Sequence, residues 1–345
     1  MPALPERGAA HPHARLASQV ASPQTRFDPP AFPVAELRSV TKRFGDRLAV
    51  DGLNLEVARG LCFGLLGPNG AGKTTALRML YGVTTPSAGT ARVLGLDVSL
   101  HPRRVRARIG VTLQENVLLE ALSPLENLRI FGRYHLLREP VLGRRAAELI
   151  ELFELGSHAR MPVRTLSGGM QRRLAIALSL MNQPELLILD EPTTGLDPQV
   201  RLALWGRIRD LREQGTTVLL TTHYMDEAER LCDQIAILAH GRLRAEGAPS
   251  ALVRAHLAAE ALEVELDAAA EATLFSGLEA SPRHQRVGRR LFVYDEDVRP
   301  YVERIRRRDG GERRPLVVRP TNLEDVFLAI TGTSLWAEPS EQVQP

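Results

Sequence analysis

The chain has little to cross-link it and little net charge. Two cysteines, Cys62 and Cys232, occur among 345 residues. They lie far apart in sequence, in apolar-looking surroundings, and each reads as an unpaired buried thiol. A disulfide-stapled secreted scaffold is excluded, and a reducing cytosol fits best. The formal net charge is only +3, too small for this length to imply bulk nucleic-acid binding, so no nucleic-acid partner is expected. No run of about 18 apolar residues exists, so no membrane-spanning helix is expected. The N-terminal stretch lacks the apolar core of a secretory signal. What is present is 44% hydrophobic and 25% charged, the composition of a globular protein with a sizeable core. The length suits a large domain with a smaller one beside it.

Residues 1–33 are rich in Pro, Ala, His and Arg without apolar periodicity and read as a disordered tail. Strand-like segments follow at 36–44, 53–57, 61–66, 90–94 and 109–113, and the pattern turns helical over 124–181. Leu186-Leu187-Ile188-Leu189-Asp190 is a continuous apolar run ending in an acid, which suits a strand buried on both faces of a parallel sheet. Helix 199–213, strand 217–221, helix 225–231 and strand 234–238 continue the alternation. Alternating strands and helices predict a mostly parallel α/β core, with the helical stretch between Gln114 and Leu186 as an inserted subdomain. After about Leu257 the texture changes. Alternating strands near 262–266, 291–294 and 315–319 and helices at 298–308 and 322–330 predict a small α+β domain. Thr321 is the expected N-cap of the last helix, with Glu324 three residues on. Residues 336–345 read as a loose tail.

The chemistry starts at Gly67-Pro68-Asn69-Gly70-Ala71-Gly72-Lys73-Thr74, which fits G-x-x-x-x-G-K-[ST] between a predicted strand and a predicted helix over 74–81. Glycines let backbone N–H groups turn inward into an anion nest, and the helix N-terminus adds its positive dipole end. Lys73 would reach the β- and γ-phosphates of a nucleoside triphosphate, with Thr75 beside the cradle, and the Thr74 hydroxyl would ligate Mg²⁺. Asp190 closes an apolar strand, a position from which a carboxylate can hold the metal, and Glu191 is placed to polarise an attacking water. Strand alternation would point the two apart.

Leu166-Ser167-Gly168-Gly169-Met170-Gln171 resembles the signature of ABC ATPases, usually written LSGGQ. Gln114 matches that family's Q-loop, Gly195-Leu196-Asp197 its D-loop, His223 its switch histidine, and Phe44 the aromatic that stacks on adenine. The elements run in the family's order across roughly residues 36 to 250. The resemblance implies a P-loop NTPase core of ABC type over 34–250, a helical subdomain over about 115–182, and a C-terminal accessory domain over 251–335. It also implies ATP and Mg²⁺ as cofactors, Gln114 joining Thr74 and Asp190 at the metal, and Glu191 and His223 as catalytic residues. Ser167, Gly168, Gly169 and Met170 would cap the γ-phosphate held by a facing subunit, with Asp197 alongside. The ATPase would then be a head-to-tail homodimer, or a pair with a related ATPase. Three departures stand out: Met170 for the usual Gln, Gly195 for a common Ala, and Phe44 for a commoner Tyr. None removes a catalytic group.

Only about 90 residues without heptads separate Lys73 from Ser167, unlike the coiled-coil insertions of repair-type members. One cassette is present, whereas translation-factor members usually carry two. A transporter ATPase with a separate transmembrane permease is therefore expected, at the cytoplasmic face of the membrane; the alternative is a soluble ABC ATPase acting in translation or DNA maintenance. Phe131-Gly132-Arg133-Tyr134, the run from Thr221 to Leu231, and Leu323-Glu324-Asp325-Val326-Phe327 resemble exporter ATPases of the daunorubicin-resistance and nodulation-factor kind. The permease is expected to press on the stretch from Gln114 to Leu122, with Leu118 and Leu119 in contact. Arginines 299, 304, 306, 307, 308, 313 and 314 make the accessory domain locally basic, either as a solvated face or for anionic lipid headgroups.

Overall fold

The computed structural model describes residues 32–278, 281–309 and 314–331, and all of these belong to one compact unit. The expected tails fall largely or wholly outside the described residues. Three sheets organise the chain. The central six-stranded sheet runs, edge to edge, Arg242–Gly247, Gln234–Ala239, Cys62–Leu66, Thr217–Thr222, Leu186–Asp190 and Ile109–Thr112. Its strands are parallel except Arg242–Gly247, which returns antiparallel through a hairpin. Strands Cys62–Leu66, Leu186–Asp190 and Thr217–Thr222 are buried at every position, as their unbroken apolar runs require when helices cover both faces. Register then decides function. Leu66 pairs with Thr222 and Asp190 with Thr221, so three strands end side by side at one edge, where an open α/β sheet places its ligands.

A four-stranded antiparallel sheet formed by Arg47–Val57, Ala35–Phe44, Ala88–Val93 and Leu96–Asp97 lies against one side of this core. Phe44 pairs with Arg47 across its first hairpin. The second strand starts at Arg47 rather than at residue 53, because Leu48 and Val50 continue the pairing ahead of the apolar alternation of Leu53, Leu55 and Val57. Helices Pro124–Tyr134, Val141–Leu152 and Gly168–Ser179 fill the predicted helical stretch. The first opens on a capping box: Ser123 N–H donates to Glu126 Oε2 at 2.8 Å, and Glu126 N–H to Ser123 Oγ at 3.4 Å.

The third sheet, antiparallel, orders Arg283–Val287, Arg290–Asp295, Glu260–Glu265 and Leu316–Pro320. Period-two alternation gives it two apolar faces. Leu262, Val264, Leu291 and Val293 pack with helices Ala268–Phe275 and Arg299–Arg308. Ala261, Phe292 and Tyr294 join the large core beneath the central sheet, together with Leu323, Val326 and Phe327 of the last helix. That helix is capped by Asn322, not Thr321. Asp325 N–H donates to Asn322 Oδ1 and Asn322 N–H to Asp325 Oδ2, whereas the Thr321 hydroxyl donates to Ala258 O. The difference is one residue of register: Asn322 and Asp325, also three residues apart, make the reciprocal bonds. Of the predicted basic cluster, Arg313 lies outside the described residues, and most others are used internally. Arg304 donates to Leu274 O and Ser276 O, and Arg299, Arg307 and Arg314 pair with Asp297, Glu303 and Asp309. Such pairing favours the solvated-face reading.

Candidate functional site

Gly67–Thr74 bridges the central strand Cys62–Leu66 and the helix Lys73–Leu80. Two of its glycines are obligatory. Gly67 (φ 155°) has no room for a Cβ against Leu238 O, and at Gly72 (φ 104°) a Cβ would meet Ala49 O at 2.7 Å. Both angles lie where L side chains are strained. Together the loop, Phe44, Arg47, Ala49, Thr75, Gln114 and Glu191 line a cavity of about 530 Å³. Phe44 stands half exposed at its rim, with Lys42 Nζ 4.9 Å from the ring centroid. Lys73 is buried and donates to Gly67 O at 2.6 Å and Pro68 O at 3.2 Å, with Glu191 Oε1 at 3.8 Å. Burial lowers its pKa, partly offset by Glu191 and Asp190.

The two carboxylates are held differently. Asp190 Oδ1 accepts from Thr221 Oγ1 at 2.5 Å and from Thr74 Oγ1 at 3.3 Å. This aims it at the loop's hydroxyl and makes an all-oxygen donor pair. Glu191 is not the next residue of an extended strand. It has φ 45°, a left-handed conformation rare for a non-glycine residue and characteristic of functional sites. This turn, rather than strand alternation, separates the two side chains. Glu191 Oε2 accepts from Gln114 Nε2 at 3.2 Å and Thr194 Oγ1 at 3.1 Å, and lies 3.4 Å from His223 Nδ1. Its pKa is lowered, chiefly by the His223 hydrogen bond. The carboxylate therefore stays ionised at neutral pH beside the loop, the form that can accept a proton.

Ser167, Gly168, Gly169, Met170 and Asp197 form a second group that does not line this cavity. Ser167 Oγ accepts from Met170 N–H and caps helix Gly168–Ser179. Asp197 Oδ1 accepts from Val200 N–H and caps helix Pro198–Glu213. The two helix starts touch, since a Cβ on Gly169 would meet Val200 Cγ1 at 2.9 Å. The signature and Asp197 are thus built as one surface, separate from the cradle.

Sequence reasoning passed over Arg172. Buried in the signature helix, it donates to the carbonyls of Leu113, Gln114, Asp190, Glu191 and Pro192 and to Asn116 Oδ1. It therefore ties the Gln114 loop to the carboxylate turn. Desolvation lowers its pKa to about 10, and nearby Asp190 opposes that. In the sequence Arg172 is one of two adjacent arginines, with nothing to mark it rather than Arg173 as the buried one. Thr221, which orients Asp190, had no sequence signal beyond its place in a strand. The stretch from Gln114 to Leu122 borders a 350 Å³ groove lined by Leu113, Val117, Phe131 and His135. Val117 and Leu119 are exposed there, but Leu118 packs against the core.

Residues 50–194 match the family model described as ABC transporter, and residues 267–332 match the nodulation factor export protein NodI C-terminal domain. The chain is 45% identical over 307 residues to a Nod factor export ATP-binding protein I of Ralstonia nicotianae, covering 88% of this chain and 95% of that protein. A solved ATP-binding subunit of an ABC transporter is 30% identical with a TM-score of 0.60, over 64% of this chain and 92% of that one. A dimeric post-hydrolysis ATP-binding cassette bound to ADP and Pi is 28% identical with a TM-score of 0.57, over 62% and 98% respectively.

Proposed function

The chain belongs to the family of ABC transporter ATP-binding proteins and is the ATP-binding, ATP-hydrolysing subunit of an ABC exporter; from that premise we propose how its residues divide the work. Gly67–Thr75 cradles the triphosphate, with Lys73 leaving its carbonyl partners for phosphate oxygens and Phe44 facing the adenine. The oxygens of Thr74 and Asp190 with Gln114 suit Mg²⁺, a hard cation that prefers such donors. Among the described residues no cluster of His, Cys, Asp and Glu could cage a metal alone, so these few ligands would share the ion with phosphate. When bound, Mg²⁺ would neutralise phosphate charge. Glu191 accepts the proton of the attacking water, and His223 holds Glu191 in position from the neighbouring strand end. The observation that carries this reading is the register that ends strands Cys62–Leu66, Leu186–Asp190 and Thr217–Thr222 side by side.

Because Ser167–Met170 and Asp197 do not line the chain's own cradle, a facing subunit is proposed to complete each site. Two chains, or this chain and a related ATPase, then close head-to-tail on two ATP molecules in an isologous pair. Hydrolysis removes the contact that distinguishes closed from open. No described helix is long and apolar enough to cross a membrane. A separate permease, with this subunit at its cytoplasmic face, is proposed because the chain matches a relative named as an export ATP-binding protein over 95% of that protein's length. The 350 Å³ groove takes the permease, with Val117 of its lining and the exposed Leu119 close by in sequence as contacts. The ATPase portion spans 34–250 and the accessory portion 251–335. Cargo of the drug, lipid or glycolipid kind is proposed because the relatives are named for Nod factor export. The soluble alternative is not favoured, since similarity to an export protein covers 88% of the chain. The test is to purify the membrane polypeptide that copurifies with the chain, reconstitute both in vesicles, and follow ATP-driven efflux. ATPase activity that no membrane polypeptide modulates would refute the assignment.

A further inference from the structure

Glu227 lies in the Thr221–Leu231 run but has been given no role above, yet it is fully buried. A carboxyl in that position needs partners to offset its desolvation. Its Oε1 accepts from Thr193 Oγ1 at 2.8 Å and from Trp205 Nε1 at 2.9 Å. The Thr222 hydroxyl, which accepts from Tyr224 N–H at 2.9 Å, lies beside the carboxyl, and Glu227 Oε2 is buried without a hydrogen-bond partner. These three neighbours have distinct origins. Thr193 follows Glu191 by two residues, in the turn that Glu191 opens with its positive φ. Thr222 precedes His223, and Glu227 itself sits in helix Met225–Leu231, which begins just after His223. Trp205 belongs to helix Pro198–Glu213, whose N-cap is Asp197. One buried carboxyl therefore joins the segments that carry Glu191, His223 and Asp197.

We propose that Glu227 is a positioning residue for ATP hydrolysis, setting the Glu191–His223 geometry and its alignment with the Asp197 helix through its bonds to Thr193 and Trp205 and its own place on the helix that follows His223. The side chain is too far into the core to meet nucleotide, so its effect is transmitted only through these partners. Glu191 and His223 stand 3.4 Å apart, just past the point where strand pairing ends at Asp190 and Thr221, and Glu227 braces the two segments beyond that pairing. A misplacement of about 1 Å costs on the order of 100-fold in rate, so the connection governs turnover rather than binding. Trp205 adds a link from the proposed facing-subunit surface to the catalytic pair. The inference rests on the roles given to Glu191 and His223 above.

The test uses the full-length chain with Mg²⁺-ATP. Glu227→Leu removes both hydrogen bonds accepted by Oε1. Its kcat is expected to fall about 10- to 100-fold with ATP affinity within about threefold, whereas Glu227→Gln, which keeps an acceptor oxygen, retains most of kcat. In a His223→Ala background, Glu227→Leu should cost little more, because both act through one geometry. Thr193→Val, a near-isosteric change, removes only the link beside Glu191 and should lower kcat without changing affinity, which keeps the test open if the leucine variant does not fold. Wild-type kcat in Glu227→Leu or in Thr193→Val, or losses that multiply in the His223→Ala background, would overturn the proposal. If instead Glu191→Gln and His223→Ala themselves keep wild-type turnover, the catalytic assignment fails, which is a separate result.

Discussion

Replacing Glu191 with glutamine isolates the proton acceptor from everything else in the site. The amide keeps the side chain's length and one carbonyl oxygen, so the contacts from Gln114 Nε2 and Thr194 Oγ1 can persist. What disappears is the negative charge beside His223 Nδ1 and 3.8 Å from Lys73 Nζ. Removing a positioned general base typically costs 10²- to 10⁴-fold in rate, about 3 to 5 kcal/mol in the barrier. Binding should move the other way. Lys73, released from its neighbouring carboxylate, is freer to meet phosphate, so ATP affinity should hold or tighten. With ATP bound but not consumed, the head-to-tail dimer should accumulate. The assays are steady-state phosphate release, calorimetry with ATP, and the ATP dependence of elution volume in size-exclusion chromatography. Turnover within about threefold of wild type, with ATP still bound, would refute the role given to Glu191.

Lys73→Ala should weaken ATP binding by about 10- to 100-fold, the worth of a charge-assisted hydrogen bond to phosphate, and unchanged affinity by calorimetry would contradict the cradle. Arg172→Met leaves five carbonyls without their buried donor. It should cost about 3–5 kcal/mol, or about 4–7 °C in melting temperature for a chain this long, measured by differential scanning fluorimetry. A shift below about 1 °C would show that the network is not holding the turn. Burial raises the Glu227 pKa above the ordinary 4.5. The folded state then holds this proton more tightly than the unfolded chain, so its contribution to stability is full below pH 4.5 and is lost as pH rises through the folded value. Glu227→Gln should flatten that part of the stability profile, and parallel profiles would contradict it. Charging Val117 and Leu119 should abolish ATP-driven efflux in vesicles while basal ATPase persists; intact efflux would remove the groove from the permease contact.

The sequence by itself determined the parts whose chemistry is local. Eight consecutive residues dictate the phosphate loop, because the nest of N–H groups and the glycines that permit it are contiguous. The continuous apolar strands declared a sheet covered on both faces, and Ser167-Gly168-Gly169 declared a helix start. Each piece of the site was therefore legible as a piece. The boundaries that slipped are those set by pairing. The early start at Arg47 follows its partner strand, and the last helix is capped by Asn322 because Asp325 can answer it. Only the tertiary structure decided how the pieces meet. Register at the sheet edge brings Thr221 to Asp190 and His223 to Glu191 across gaps of about 30 residues, and a single positive φ, not strand alternation, turns Glu191 toward the cradle. Arg172 and Glu227 were illegible for the same reason. Each looks like an ordinary charged residue on an amphipathic helix until folding buries it, and a buried charge or acid takes its meaning from the distant carbonyls, hydroxyls and indole that offset its desolvation.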